Sequence, residues 1–197
     1  MLDRVYDRHT KQGGEGAPVL PFRTLPPREA RPYENCVPLY DLKVAAGLFL
    51  QSQAVDAVME SGQLQDTDQP QWVELPPRFT PSRDLFVTQV VGESMNRRIP
   101  NGAWCLFRLN PGCDGESGTQ IVLAQLRDIE DPETGGRFTV KAYRRETVPG
   151  ANGEEARIRV VLSPLSTQAG QEPIVLADLQ DGGLQVIAAL VSGLAVA

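Results

Sequence analysis

The chain has 197 residues, 41% hydrophobic and 22% charged, enough for one domain with a substantial core or a domain plus a tail. A net charge of −6 excludes the basic stripe that a sequence-independent DNA binder needs to displace counterions from phosphates. Residues 1–37 hold six basic and five acidic side chains, so the remainder carries −7. Sixteen prolines and eighteen glycines favour short strands joined by turns over long helices.

In chain order, residues 1–36 read as a flexible arm. Gln12–Pro18 and Pro26–Pro32 punctuate it, and no apolar periodicity outlasts one turn. The arm also reads as a linker stub from a longer polypeptide. From Cys36 the pattern changes. Val37–Tyr40 predicts a short edge strand, since proline is tolerated at an edge. Val44–Leu50 is apolar and uncharged, and residues 54–70 are polar and acidic. Trp72–Leu75 predicts a strand before the Pro76-Pro77 break. Further strands are predicted over Leu85–Val91, Ala103–Leu109, Ile121–Arg127, Arg137–Arg144, Arg157–Leu162, Ile174–Leu176 and Leu184–Val196. The turn at Asp131–Gly136 predicts an antiparallel hairpin. Eight to ten short strands without a convincing helix imply a mainly β fold, a partly closed, barrel-like folded sheet.

Three cysteines without a CxxC pair point to a reduced protein with a buried thiol at Cys105. The segment Met1–Asp7 lacks a secretory apolar region, and no apolar run approaches the ~20 residues of a membrane span, so a cytoplasmic location without membrane contact is expected. No cofactor and no metal are called for. Arg97-Arg98 and Arg144-Arg145 read as solvated surface.

The chemistry concentrates at two places. Gly92-Glu93-Ser94-Met95 closes the strand Leu85–Val91, and Lys141 stands 47 positions later inside Phe138–Tyr143. A serine hydroxyl becomes a useful nucleophile only when a base takes its proton during attack. The only histidine, His9, lies in the arm, so a Ser-His-Asp triad is not expected. An amine serves as base only when neutral, a state that burial among apolar groups favours. Strand alternation puts Thr139, Lys141 and Tyr143 on one face, either toward solvent or in a crevice; alternation alone does not decide.

Taken together, Val91–Met95, Ile99-Pro100-Asn101-Gly102-Ala103-Trp104 and Thr139-Val140-Lys141 resemble the peptidase domain of LexA-type repressors and UmuD-like proteins. In that family a Gly-x-Ser-Met turn precedes an Ile-x-Asp-Gly-Asp turn, and the lysine lies in a Thr-Val-Lys strand. Asn101-Gly102-Ala103 replaces the Asp-Gly-Asp. The resemblance covers roughly residues 37–197, including Leu162–Ser166 and Glu172–Val175, with Leu165-Ser166 where an asparagine usually falls. It implies a LexA C-terminal or signal-peptidase-like fold, with Ser94 as nucleophile and Lys141 as general base. The backbone N–H groups of Glu93 and Ser94 would form the oxyanion hole.

Ala45-Ala46-Gly47, within the segment 43–50, resembles the family's self-cleavage site, with the scissile bond between Ala46 and Gly47. Small residues let a backbone enter a narrow site, and glycine allows a sharp bend. The same segment also reads as a tight turn into a core strand. The resemblance therefore implies a self-cleaving serine peptidase whose substrate is its own N-terminal segment, a regulatory switch in a DNA-damage (SOS) or DNA-processing context. The apolar run Leu184–Val196 needs either a partner surface or a central place in a sheet, and the resemblance implies a homodimer formed through this end of the fold. A recombinase filament or DNA-processing protein is the expected external partner. No helix-turn-helix precedes the domain, so sequence-specific nucleic-acid binding is not expected. The alternative reading is a non-catalytic LexA-like dimerisation or interaction module attached to a DNA-processing system.

Overall fold

The computed structural model describes residues 20–40, 70–109, 119–126, 138–149, 157–176 and 183–194. These form a mainly β structure without a helix. The strands are β1 (Arg23–Leu25), β2 (Val37–Tyr40), β3 (Gln71–Glu74), β4 (Leu85–Val90), β5 (Ala103–Leu109), β6 (Gln120–Leu126), β7 (Phe138–Val148), β8 (Arg157–Ser163), β9 (Ile174–Leu176) and β10 (Leu184–Leu194). They make one mixed sheet in the order β1-β3-β2-β4-β5-β10-β6-β7-β8-β9. Only β2 and β4 pair in parallel; every other pair is antiparallel.

The expected strands recur within a residue or two, apart from a longer β7, with three corrections. The sheet is open, with β1 and β9 at its edges, where partial closure into a barrel was expected. Val37–Tyr40 is an interior strand between β3 and β4, not an edge. Pro38 fits there because pairing with β4 starts only at Leu39, so the missing N–H is not needed on that side. Residues 20–36, expected to be part of a flexible arm, contribute β1 to the sheet and are otherwise turns and bends. Leu25 and Cys36 are buried, and Phe22 meets Trp104 edge-on at 5.3 Å. Tyr33 adopts a left-handed φ of 65°, its N–H donating to the Cys36 carbonyl at 2.9 Å and its ring edge-on to Trp72 at 5.3 Å. Tertiary contacts thus hold a backbone conformation that a non-glycine residue would avoid in isolation. Residues 1–19 lie outside the described residues.

β4 shows why the apolar run had to be a strand. Phe86 and Val90 enter a core cluster with Cys105 and Phe107 of β5, Leu123 of β6, Val140 of β7 and Ile187 and Ala188 of β10. Leu85 and Val87 enter a second cluster, on the other face, with Val37, Val73, Leu106 and Leu194. Both faces are covered at Leu85, Phe86 and Val87, so the strand opens with an unbroken apolar run instead of alternating. A third cluster joins Val122, Ala124 and Leu126 with Tyr143, Val160 and Leu162. β10, the apolar run that needed a partner, takes the central place between β5 and β6. Its register shifts between Leu190 and Ser192 against β5, and between Val186 and Ala188 against β6. Such irregularities bend a strand and increase its twist, so the sheet curves at its middle.

One core position breaks the polar bookkeeping. Thr88 is fully buried on the Phe86 and Val90 face, and its hydroxyl has no hydrogen-bond partner among the described residues. An unsatisfied buried hydroxyl costs about 1–3 kcal/mol, whereas an apolar group of the same shape costs nothing comparable. Thr88→Val is therefore expected to raise stability by about 1 kcal/mol. Denaturant melts of the two proteins check this; a less stable variant would mean the hydroxyl is satisfied in solution.

Candidate active site

β4 and β5 are joined by residues 91–102, and local chemistry sets the path of that connection. Gly92 (φ 123°) and Gly102 (φ 78°) occupy backbone conformations that residues with a Cβ rarely adopt. The Gly102 N–H donates to the Val90 carbonyl at 2.8 Å, and the Gln89 side-chain amide donates to the Gly102 carbonyl at 2.8 Å. These bonds close the base of the connection. Inside it, the N–H groups of Arg98 and Ile99 both donate to the Met95 carbonyl at 2.8 Å, forming one tight turn. Met95 and Ile99 are each 2% exposed and anchor that turn in the core. Ser94 is thus fixed at the point where the chain leaves β4 and dives into the interior.

A second segment clamps the turn from the far side of the sheet. After β8, the Leu165 N–H donates to the Ser94 carbonyl at 2.8 Å, and the Arg97 N–H donates to the Leu165 carbonyl at 2.9 Å. Two backbone bonds across Leu165 behave like a short piece of ladder. The Thr167 N–H donates to Asn96 Oδ1 at 2.8 Å, and the Thr167 hydroxyl reaches the same oxygen at 3.2 Å. The expected Leu162–Ser166 segment is therefore part of this site's framework.

Lys141 arrives from β7. Its cross-strand partner on β6 is Val122, and Thr139 through Tyr143 are all buried. The choice between solvent and crevice is settled: Lys141 is 5% exposed and Ser94 9%. Lys141 Nζ donates to Ser94 Oγ at 2.8 Å, a contact buried from solvent. In strand order, β5, β10 and β6 lie between β4 and β7. A flat sheet would hold β4 and β7 about 19 Å apart at ~4.8 Å per strand. Sheet curvature, the advance of the loop beyond Val90 and the length of the lysine together close that gap.

The structure brings together Ser94 and Lys141, with Glu93 one residue before the hydroxyl in the same turn. Ala46 and Gly47, with the segment 43–50, lie outside the described residues, as does Cys113. β2 runs parallel to β4 with Leu39 beside Val87 and Tyr40 beside Thr88. In sequence, Ala46 comes six positions after Tyr40, as Ser94 comes six positions after Thr88.

Three side chains of the site escaped sequence reasoning as participants: Asn96, Asn101 and Thr167. Asn101 Oδ1 accepts from the Gly92 N–H at 3.0 Å, while its Nδ2 donates to Glu93 Oε1 at 3.1 Å. Asn96 Nδ2 donates to Glu93 Oε2 at 2.9 Å. The spacing of Glu93 and Asn96 across one turn was visible, but nothing in the sequence joins them to Thr167, 71 positions from Asn96.

Burial pushes the Cys105 thiol up to about 12, and raises the Tyr40 phenol well above its ordinary range. By contrast, Arg97, Arg98, Arg144 and Arg145 are exposed, as expected for solvated charges. Glu146 lies on the outer part of β7, where a hydrogen bond from Arg159 at 2.6 Å, assisted by the Arg144 charge, holds its carboxyl below the usual range. Among the described residues, no group of three His, Cys, Asp or Glu side chains gathers where a metal ion could be held. Nor is any helix among them long and apolar enough to cross a membrane. Comparison of the chain with family models, curated proteins and solved structures gives no match.

Proposed function

We propose that this chain is a self-cleaving serine peptidase of the LexA/UmuD type, with Ser94 as nucleophile, Lys141 as general base and Ala46-Gly47 as the bond cut. The observation that carries the reading is the buried 2.8 Å contact between Lys141 Nζ and Ser94 Oγ. A general base must lie within about 2.6–3.2 Å of the group whose proton it takes. A serine and a lysine 47 residues apart meet at that distance, on a turn braced by two asparagines and a second backbone segment. The finer fold expectation, a LexA or signal-peptidase-like folded sheet, belongs to the same proposal and is supported by the curvature that brings β4 and β7 together.

The chemistry runs in two halves. With the amine neutral, the contact is made in the opposite sense, the Ser94 hydroxyl donating to the nitrogen lone pair. Ser94 Oγ attacks the carbonyl carbon of Ala46 as its proton passes to Lys141 Nζ. The backbone N–H groups of Glu93 and Ser94 stabilise the negative charge that develops on the carbonyl oxygen. The ammonium of Lys141 then gives its proton to the departing Gly47 nitrogen, and the C–N bond breaks to leave an ester on Ser94. Water, deprotonated by the same amine, hydrolyses that ester and regenerates the hydroxyl.

The substrate belongs to the same chain, which matters energetically. Tethering converts a bimolecular encounter into an intramolecular one, so a single turnover needs little intrinsic affinity. The six residues from Tyr40 to Ala46 reach at most about 20–22 Å when extended. Tyr40, from which they start, ends the strand adjacent and parallel to β4. Cleavage there would separate the sheet from everything N-terminal to Gly47, including β1 and β2. Two strands that pair with β3 and β4 would then be held only by non-covalent contacts, which is the basis for a switch in a DNA-damage or DNA-processing setting. A cytoplasmic location and a homodimeric state are part of the same reading.

The test is direct. Purified protein incubated between pH 7 and pH 9.5 should yield a new fragment whose N-terminal residue is Gly47, read by N-terminal sequencing or intact mass. A chain that remains whole under all these conditions, with its fold verified by circular dichroism, would refute the activity.

A further inference from the structure

We propose that Glu93 is a positioning residue whose carboxylate braces the Ser94 turn by accepting both flanking asparagine amides. The bonds form one continuous chain around the serine. Asn101 holds the Gly92 N–H with Oδ1 (3.0 Å) and gives its amide to Glu93 Oε1 (3.1 Å). The other carboxylate oxygen, Oε2, takes the Asn96 amide (2.9 Å), and the Asn96 Oδ1 in turn takes the Thr167 N–H (2.8 Å) and hydroxyl (3.2 Å). The brace therefore starts immediately before the turn at Gly92, passes over Ser94 and ends on the segment whose Leu165 N–H holds the Ser94 carbonyl. Glu93 is its only acidic member, and a carboxylate is the one side chain that accepts at both ends without also having to donate. Hydrogen bonds to an ionised acceptor are also about twice as strong as neutral ones, which suits a brace that is partly exposed to water.

The need for such a brace follows from the conformation it holds. Gly92 sits at φ 123°, and glycine loses more freedom than any other residue when it is fixed. Left alone, the turn between Val90 and Met95 would sample other arrangements, carrying the Ser94 hydroxyl away from Lys141. A displacement of about 1 Å at a reacting atom can cost on the order of 10²-fold in rate. Glu93 touches neither the hydroxyl nor the amine through these bonds; it acts through the backbone on either side of them.

The inference rests on the peptidase reading for its kinetic consequence, but not for its structural one. Glu93→Gln keeps the shape and puts a donor where one asparagine amide already donates. Adding Asn101→Asp restores a donor–acceptor pair of reversed polarity while keeping an oxygen for the Gly92 N–H. Two readouts follow: the rate of Gly47 fragment formation, and hydrogen exchange at the amides of Gly92, Arg97 and Leu165. Glu93→Gln should lower the cleavage rate about ten- to a hundredfold. The shape of its pH dependence should stay that of the wild type, and exchange at the three amides should quicken. The double variant should recover both, and Asn96→Ala should reproduce the loss if Glu93→Gln folds poorly. Wild-type cleavage and unchanged amide protection in Glu93→Gln would overturn the proposal. If the wild type never cleaves, the peptidase reading falls, and amide protection alone then decides the role of Glu93.

Discussion

Ser94→Ala and Lys141→Met are each expected to abolish the Gly47 fragment, by about 10⁴-fold or more, with the fold intact and a modest fall in melting temperature. Removing either member of a nucleophile–base unit costs nearly as much as removing both, because each is useless without the other. The stability half of the expectation comes from burial. Lys141 is 5% exposed, in a strand where Thr139 through Tyr143 are all buried. Removing one partner of the buried Lys141–Ser94 contact takes that hydrogen bond from the other, at a cost of about 1–3 kcal/mol. An activity lost together with the fold would point to a structural lysine; an activity lost from an intact fold points to chemistry. Lys141→Arg sharpens the distinction. A guanidinium keeps positive charge beside Ser94 but cannot accept a proton at any accessible pH. It is expected to be as inactive as Lys141→Met. Fragment formation by Lys141→Arg within tenfold of wild type would eliminate the general-base role, leaving electrostatic support as the only function for that position. Intact-mass kinetics and thermal melts on the same samples give both readouts.

How much of this was legible beforehand depends on the range over which each signal acts. β4 through β10 announce themselves because β-branched and aromatic runs between turn residues are local signals. β1 did not, since Arg23-Thr24-Leu25 has no apolar pattern of its own; only pairing with β3 and the cover of Phe22 on Trp104 make it a strand. The edge assignment of Val37–Tyr40 failed for a related reason. Proline forbids one donor, not two neighbours, and the β4 pairing begins just past it. Openness of the sheet could not be read because closure depends on strand order, which the parallel β2–β4 pair and the insertion of β10 between β5 and β6 determine through long-range packing.

The site divides in the same way. Ser94 was conspicuous because a Gly-x-Ser-Met turn at a strand end is a local pattern. Lys141 was conspicuous only alongside Ser94, since alternation along β7 left its exposure open. Burial at that position depends on both faces of β7 being covered, and Leu162, opposite Tyr143 across β8, is one of the residues that cover it. The brace of Asn96, Asn101 and Glu93 was not legible, because its purpose appears only once Thr167 and Leu165 are carried back against the turn. Short-range chemistry marks where a reaction is possible; long-range packing supplies the restraint that makes it specific.

Cleavage is expected to meet an alkaline ceiling set by the fold rather than by the dyad. The ceiling follows from linkage. Burial raises the Cys105 thiol from 9.0 to about 12, so the folded protein keeps a proton that the unfolded chain releases near pH 9. A group raised in the folded state contributes stability below its unfolded value and loses that contribution as pH climbs through the interval above it. The loss amounts to about 1.4 kcal/mol per pH unit for one group, and so to about that much by pH 10. Tyr40 acts in the same direction, from a higher starting point. Cys105→Val removes the first of these titrations from the core. The variant should show a smaller drop in melting temperature between pH 8 and pH 10 than the wild type, and its cleavage should persist to higher pH. An equal drop in melting temperature for both proteins would remove Cys105 from the account and leave Tyr40 as the group that limits the alkaline range.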